Sequence, residues 1–312
     1  MASPQHVAQR LSLYGRMASH LSARTGRKVI LLTRMAGQHA KPRSYSAEVL
    51  PDGAEIPVYR GDAINSLDAT AAGRRADPWR LLTSYDRSRD TLEHLRSLRD
   101  SGHRIFVSHE ALIRDFEEPM TRGGDLLYSA SGHLLWIGER TRQLGDWHIR
   151  WASSIANPVG VKIGPTTTPY DLTDLIRTLS PGREPGRLSL ISRMGAAGTC
   201  DLLGPLARGM AQSRAPILWQ CDPMHGNTRK LGDTKLRLLP DLRAEITAFV
   251  RTMRQAGCHP GGLHLEVTPD KVRECHENLS TASNDSWPPC DPRLNADQAM
   301  SIVDHFANEV CN

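Results

Sequence analysis

The chain has 312 residues, 39% of them apolar and 23% charged, and its 39 Lys and Arg against 34 Asp and Glu leave a formal charge of +5. That length suits one large domain or two small ones, and the composition excludes only the extremes. The positive surplus is spread along the chain instead of gathered in a tail, which argues against a dedicated nucleic-acid arm and fits small anionic ligands equally well.

PQHVAQRLSLYGRMASHLSA near the start sets Val7, Leu11, Tyr14, Met17 and Leu21 at helical spacing and breaks at Gly26, which predicts an amphipathic helix. Seven apolar runs follow, each too short for a helix: KVILLT, RIFVS, HLLWIG, VGVKIG, LSLIS, PILWQC and GLHLEV. Helix-length segments lie between most of them, at 79–101, 170–179, 202–212 and 239–256. This alternation predicts parallel strands with helical crossovers, an α/β fold. Arg34, Glu110, Glu139, Lys162, Arg193, His225 and Glu266 stand at or just past the C-terminal ends of the runs. In a (β/α)8 barrel those ends share one face with the active site, so the placement favours a barrel over an open sheet. The Gly-, Pro- and Ser-rich stretches 180–186 and 280–289 read as loops inside a single domain, 1–312. No apolar run approaches the roughly 18 residues of a membrane span. The six cysteines, Cys200, Cys221, Cys258, Cys275, Cys290 and Cys311, form no CxxC pair, and no secretory segment precedes the first helix. A reduced, cytoplasmic protein with no membrane or nucleic-acid partner is expected.

Three constellations carry chemistry. RMAGQHAKPRS, residues 34–44, sets Arg34, Lys41, Arg43 and Ser44 directly after a strand, with glycine allowing close backbone approach. Arginine offers a planar fork to carboxylate or phosphate and lysine a mobile point charge, a combination suited to a phosphorylated, carboxylated ligand. A solvated basic loop is the plainer reading of the same composition. WIGERTRQ, residues 136–143, repeats the theme with Glu139, Arg140 and Arg142, against the alternative of exposed ion pairs on a first helical turn. CDPMHGNT, LHLEVT and CDPRLN together offer His225, Glu266 and Asp291, nitrogen and oxygen ligands suited to manganese, zinc, iron or cobalt. Taken singly, each is more often a satisfied structural group. Lys162 and Arg193 add cations within or at the end of buried strands, where an anionic ligand would offset the cost of burying a charge.

The segments RMAGQHAKPRS, PVYRGDAIN, DPWRLLTSYDRSRDTL, SHEAL, WIGERTRQL, NPVGVKIGP, ISRMG, WQCDPMHGNT, PGGLHLEVT and CDPRLN, in this order, resemble the class II, plant-type 3-deoxy-D-arabino-heptulosonate 7-phosphate (DAHP) synthases over residues 13–306. The resemblance implies a (β/α)8 barrel and a transferase of the shikimate pathway. Its reaction would join phosphoenolpyruvate to erythrose 4-phosphate, or a close aldose phosphate, with loss of phosphate at a divalent metal, manganese first and cobalt second. It implies that Arg34, Glu139, Lys162 and Arg193 hold phosphoenolpyruvate with Trp136 and Glu110 beside them, and that Arg43, Ser44 and Arg140 hold the aldose phosphate. Lys41 would lie between the two substrates, and Lys41, Glu139 and Lys162 are the implied catalytic groups. His225, Glu266 and Asp291 match three metal ligands.

The pattern also has departures. The family's fourth ligand, a cysteine in a GGDCAE-type segment at the end of the first strand, has no counterpart, and none of the six cysteines stands in matching context. The expectation is a barrel missing its first strand, with exposed edges that N-terminal residues, a second subunit or a separate partner chain would cover. A misassigned start codon is the other explanation. A homodimer is expected, without the aromatic amino acid inhibition of longer members. Pro269 after GLHLEVT, and TKLR where the family has a YKTR-like run, bear on the choice of aldose. The leading function is therefore a metal-dependent synthase in primary or secondary metabolism. The competing one is a non-catalytic paralogue that binds phosphorylated ligands or a full-length synthase.

Overall fold

A computed structural model describes residues 4–43, 45–50, 52–97, 105–232, 234–281 and 291–312. Ser44, Cys290 and most of the 280–289 loop lie outside the described residues. Each of the seven apolar runs coincides with or overlaps a strand: β1 (Leu31–Thr33), β2 (Ile105–Glu110), β3 (Leu134–Ile137), β4 (Val159–Ile163), β5 (Leu188–Ser192), β6 (Ile217–Cys221) and β7 (Pro260–Leu263). β7 shares only Gly262 and Leu263 with GLHLEV, so Glu266 stands beyond its end instead of on it. They are hydrogen-bonded in chain order, β1-β2-β3-β4-β5-β6-β7. The pairs β2–β3, β5–β6 and β6–β7 run parallel. Among the described residues, this is the α/β strand order of a TIM-type barrel with seven of its eight strands. β4 and β5 are buried along their whole length, as continuous apolar runs should be when both faces of a parallel sheet are covered.

Eight α-helices occur among the described residues: α1 (Pro4–Thr25), α2 (Trp79–Ser97), α3 (Arg114–Met120), α4 (Trp147–Ser154), α5 (Pro169–Leu179), α6 (Gly204–Ser213), α7 (Leu239–Gln255) and α8 (Ala296–Cys311). None is long and apolar enough to cross a membrane. Two of them carry a capping box, in which a side chain and a third-position residue satisfy each other's backbone N–H: Thr168 with Asp171 opens α5, and Asn295 with Gln298 opens α8.

The chain divides into two compact units, residues 32–160 and residues 2–31 with 161–312. In the first, Val107, Leu135, Ile137 and Ile149 are fully buried. In the second, Leu172, Leu190, Leu242, Phe249 and Ile302 are fully buried. Each such side chain contributes about 1.5–3 kcal/mol relative to exposure. Within the second unit α1 packs on α8, where His20 Nε2 meets Asp304 Oδ1 at 2.8 Å.

Candidate functional site

In the first unit the cationic segment after β1 is held by its backbone and by buried polar groups. The Lys41 N–H donates to the Arg60 carbonyl at 2.8 Å, and Arg43 Nε donates to the Tyr59 carbonyl at 2.7 Å. Gly37 adopts φ +94°, and a Cβ there would lie 2.0 Å from His109 Nδ1, so the turn passes against the imidazole only because it carries no side chain. Gln38 is buried; its Nε2 donates to Glu117 Oε1 at 2.7 Å, and its Oε1 accepts from the Ile113 N–H at 2.6 Å. Arg34 donates to the Ala40 carbonyl at 3.1 Å, and its guanidinium carbon lies 5.8 Å from the Trp136 ring centroid, within cation–π range.

Glu110, the last residue of β2, is in register with Trp136 on β3. Its carboxylate lies against Gly138, where a Cβ would be 2.2 Å from Oε1. Glu139 and Arg140 begin a short 3-10 turn directly after that glycine, and Arg140 donates to the Pro42 carbonyl at 3.3 Å. Arg34, Lys41, Arg43, Glu110, Trp136, Glu139 and Arg140 thus all belong to the first unit, at the C-terminal ends of β1, β2 and β3 or on the loops that leave them.

The second unit brings three anticipated ligands together. One ligand atom from each of His225, Glu266 and Asp291 lies within 4.8 Å of the other two. Each has an outer partner. His225 Nδ1 meets Asp222 Oδ2 at 2.8 Å, leaving Nε2 turned toward Glu266 Oε1 at 3.6 Å. Arg237 donates to Glu266 Oε2 at 2.8 Å, and Lys235 donates to Asp291 Oδ1 at 3.1 Å. Lys235 and Arg237 come from the strand Thr234–Leu238, which pairs antiparallel with Thr228–Leu231. Imidazole nitrogen with two carboxylates is a donor set for a divalent first-row ion, and a ligating histidine whose other nitrogen is tied to a carboxylate is the usual outer arrangement. The residues fit such an ion.

Lys162 and Arg193 are neighbours of this cluster in the same unit. The buried Lys162 ammonium donates to Asp222, and Arg193, just past β5, donates to the His225 carbonyl at 3.2 Å. Burial works against a charge on Asp222, but His225 and Lys162 outweigh it and hold the carboxyl well below the usual range. Burial likewise works against imidazolium at His225, yet Asp222 and Glu266 raise it to about 9. The positive charge that the two carboxylates favour there is one that a divalent cation also supplies, in exchange for the proton. Glu245 on α7, pushed up to about 7 by burial, accepts from the Gly195 N–H at 3.0 Å and from Asn227 at 2.6 Å, tying the turn after Arg193 to the turn after His225.

Sequence reasoning missed Asp222, Lys235, Arg237 and Glu245. Asp222 carried a signal, a carboxylate immediately after a strand and three residues before His225; Lys235 and Arg237 sit in the TKLR run noted only as a departure.

A family model for the class-II DAHP synthetase family matches residues 1–104 and 101–307. The chain belongs to the class-II DAHP synthetase family. Among curated members, a Pseudomonas fluorescens protein named "Probable phospho-2-dehydro-3-deoxyheptonate aldolase" is 40% identical over 315 residues, 97% of this chain and 78% of that protein. The phospho-2-dehydro-3-deoxyheptonate aldolase of Streptomyces coelicolor is 35% identical, covering 96% of this chain and 80% of its own. In fold, the chain resembles the solved phospho-2-dehydro-3-deoxyheptonate aldolase of Francisella tularensis, with a TM-score of 0.57 at 12% identity over 100% of this chain and 83% of that one. The kinship of this class-II DAHP synthetase family member to enzymes of that name supports an enzymatic role.

Proposed function

We propose that this chain is a DAHP synthase that condenses phosphoenolpyruvate with erythrose 4-phosphate, or a close aldose phosphate, releasing inorganic phosphate in a metal-dependent reaction. The observation that carries the reading is the convergence of His225, Glu266 and Asp291 in a chain of this family. A divalent ion held by these residues, manganese or else cobalt, would supply Lewis-acid polarisation of the aldehyde. Arg34, Lys162 and Arg193 bind the carboxylate and phosphate of phosphoenolpyruvate, with Glu110 and Trp136 shaping its surroundings. Arg43, Arg140 and Ser44 bind the aldose phosphate, and Lys41 orients the two reactants. Carbon 3 of phosphoenolpyruvate forms the new bond to the aldehyde carbon as the carbonyl double bond opens. Water adds at carbon 2, Glu139 taking a proton that ends on the new hydroxyl, and the carbon 2–oxygen bond to phosphate then breaks to leave a ketone and inorganic phosphate. Positioning and fixed positive charge lower the barrier, with no covalent enzyme intermediate. Residues 1–312 act as one catalytic domain, as a homodimer in the cytoplasm.

One observation favours a non-catalytic paralogue: among the described residues the ligand cluster has three members and no cysteine. Phosphate release by metal-stripped protein decides between them. Release that requires phosphoenolpyruvate, aldose phosphate and manganese together is expected; phosphoenolpyruvate binding without release would establish the paralogue.

A further inference from the structure

We propose that Asp222 is a positioning residue that links divalent-metal binding at His225 to anion binding at Lys162, so that the ion and phosphoenolpyruvate each tighten the other's binding. The inference deepens the proposed function and rests on it. Asp222 follows β6 directly and is completely buried, and its own N–H donates to the Ser192 carbonyl at 2.7 Å. Its Oδ1 accepts from the N–H groups of Met224 at 3.1 Å and His225 at 3.2 Å, so the carboxylate fixes the turn that carries the ligand. The same carboxylate meets His225 Nδ1 at 3.0 Å through Oδ1 and 2.8 Å through Oδ2, and Oδ2 also takes the Lys162 ammonium.

Two cationic or donor groups therefore share one oxygen. A carboxylate behind a ligating histidine increases the basicity of the nitrogen facing the metal. Lys162 draws part of that charge away from the imidazole. When the carboxylate or phosphate of an anionic substrate engages the ammonium, Asp222 is released toward His225, and His225 Nε2 becomes the stronger ligand. Linkage then requires the metal to strengthen anion binding by the same factor.

The test measures Mn2+ affinity by equilibrium dialysis of the metal-stripped 312-residue chain, with no turnover needed. Asp222→Asn weakens Mn2+ binding about 10–100-fold, whereas Lys162→Met tightens it several-fold. Phosphoenolpyruvate tightens Mn2+ binding in the wild type and not in Lys162→Met. Equal weakening in both variants, or affinities within about twofold of wild type, overturns the linkage, as does an absent phosphoenolpyruvate effect in the wild type. If Asp222→Asn fails to fold, Lys162→Met and the phosphoenolpyruvate effect still decide. A wild type that binds neither Mn2+ nor Co2+ removes the inference and the metal-dependent reading together. The expected shifts without phosphate release uphold the linkage and remove only catalysis.

Discussion

Glu117 on α3 is completely buried and accepts from His109 at 2.7 Å, Gln38 at 2.7 Å, Ser131 at 2.7 Å and Ser129 at 3.3 Å. Burial raises its pKa, but the His109 hydrogen bond and charge, with Ser131 and Gln38, outweigh that and leave it lowered. A carboxyl lowered in the folded state contributes stability above its unfolded value of 4.5, and that stability is lost as pH falls through the lower folded value. Glu117→Gln would turn an amide N–H₂ toward donors, costing about 1–3 kcal/mol at neutral pH. Thermal unfolding followed from pH 7 to pH 3 should show a smaller acid-induced loss in the variant than in the wild type. Gly37→Ala should lower the melting temperature by a cost of at least about 1 kcal/mol from positive φ alone, before the contact with His109 is counted. The positions of Arg34, Glu110, Arg193 and His225 at or near strand ends were legible because the apolar runs before them mark those ends. Glu117 was not, because nothing in the sequence tells which acidic residue of a short helix turns inward.

At the scale of elements, β3, β4 and β5 were legible because an apolar run buried on both faces needs no partner to be recognised, and β4 and β5 match theirs almost residue for residue, whereas β7, with only its first residue buried, overlaps its run by two residues. α3 and α4 were not anticipated: they are 7 and 8 residues long, and α3 contains Pro119, so neither offers enough turns for a helical period to emerge. α8 did carry its signal, with Asn295 and Gln298 as caps and Ala299, Ile302, Val303 and Phe306 at helical spacing on its buried face. Removing either cap, by Thr168→Ala or Asn295→Ala, should cost about 0.5–2 kcal/mol in urea unfolding, without altering Mn2+ affinity. The antiparallel pairs Ala47–Val49 with Glu55–Pro57, Thr121–Gly123 with Leu127–Ser129 and Thr228–Leu231 with Thr234–Leu238 escaped notice because their strands are three to five residues long and largely polar.

For the whole molecule, the proposed metal-dependent reading implies that a donor cluster formed only in the folded chain makes stability depend on the ion. Mn2+ at 100 times its dissociation constant should stabilise by about 2.7 kcal/mol. A chelator should reverse the rise in melting temperature, and His225→Ala should abolish it. The hairpin of Thr228–Leu231 and Thr234–Leu238 adds a different dependence. Side chains alternate along a strand, so Lys235 and Arg237 share one side while Leu236 takes the other. A slip of one residue in that pairing would turn Lys235 and Arg237 away from Asp291 and Glu266, with His225, Glu266 and Asp291 all still in the chain. The electrostatic balance of the cluster is thus stored in a hydrogen-bond register, and a single residue inserted between the two strands would change it as much as a substitution at His225, Glu266 or Asp291.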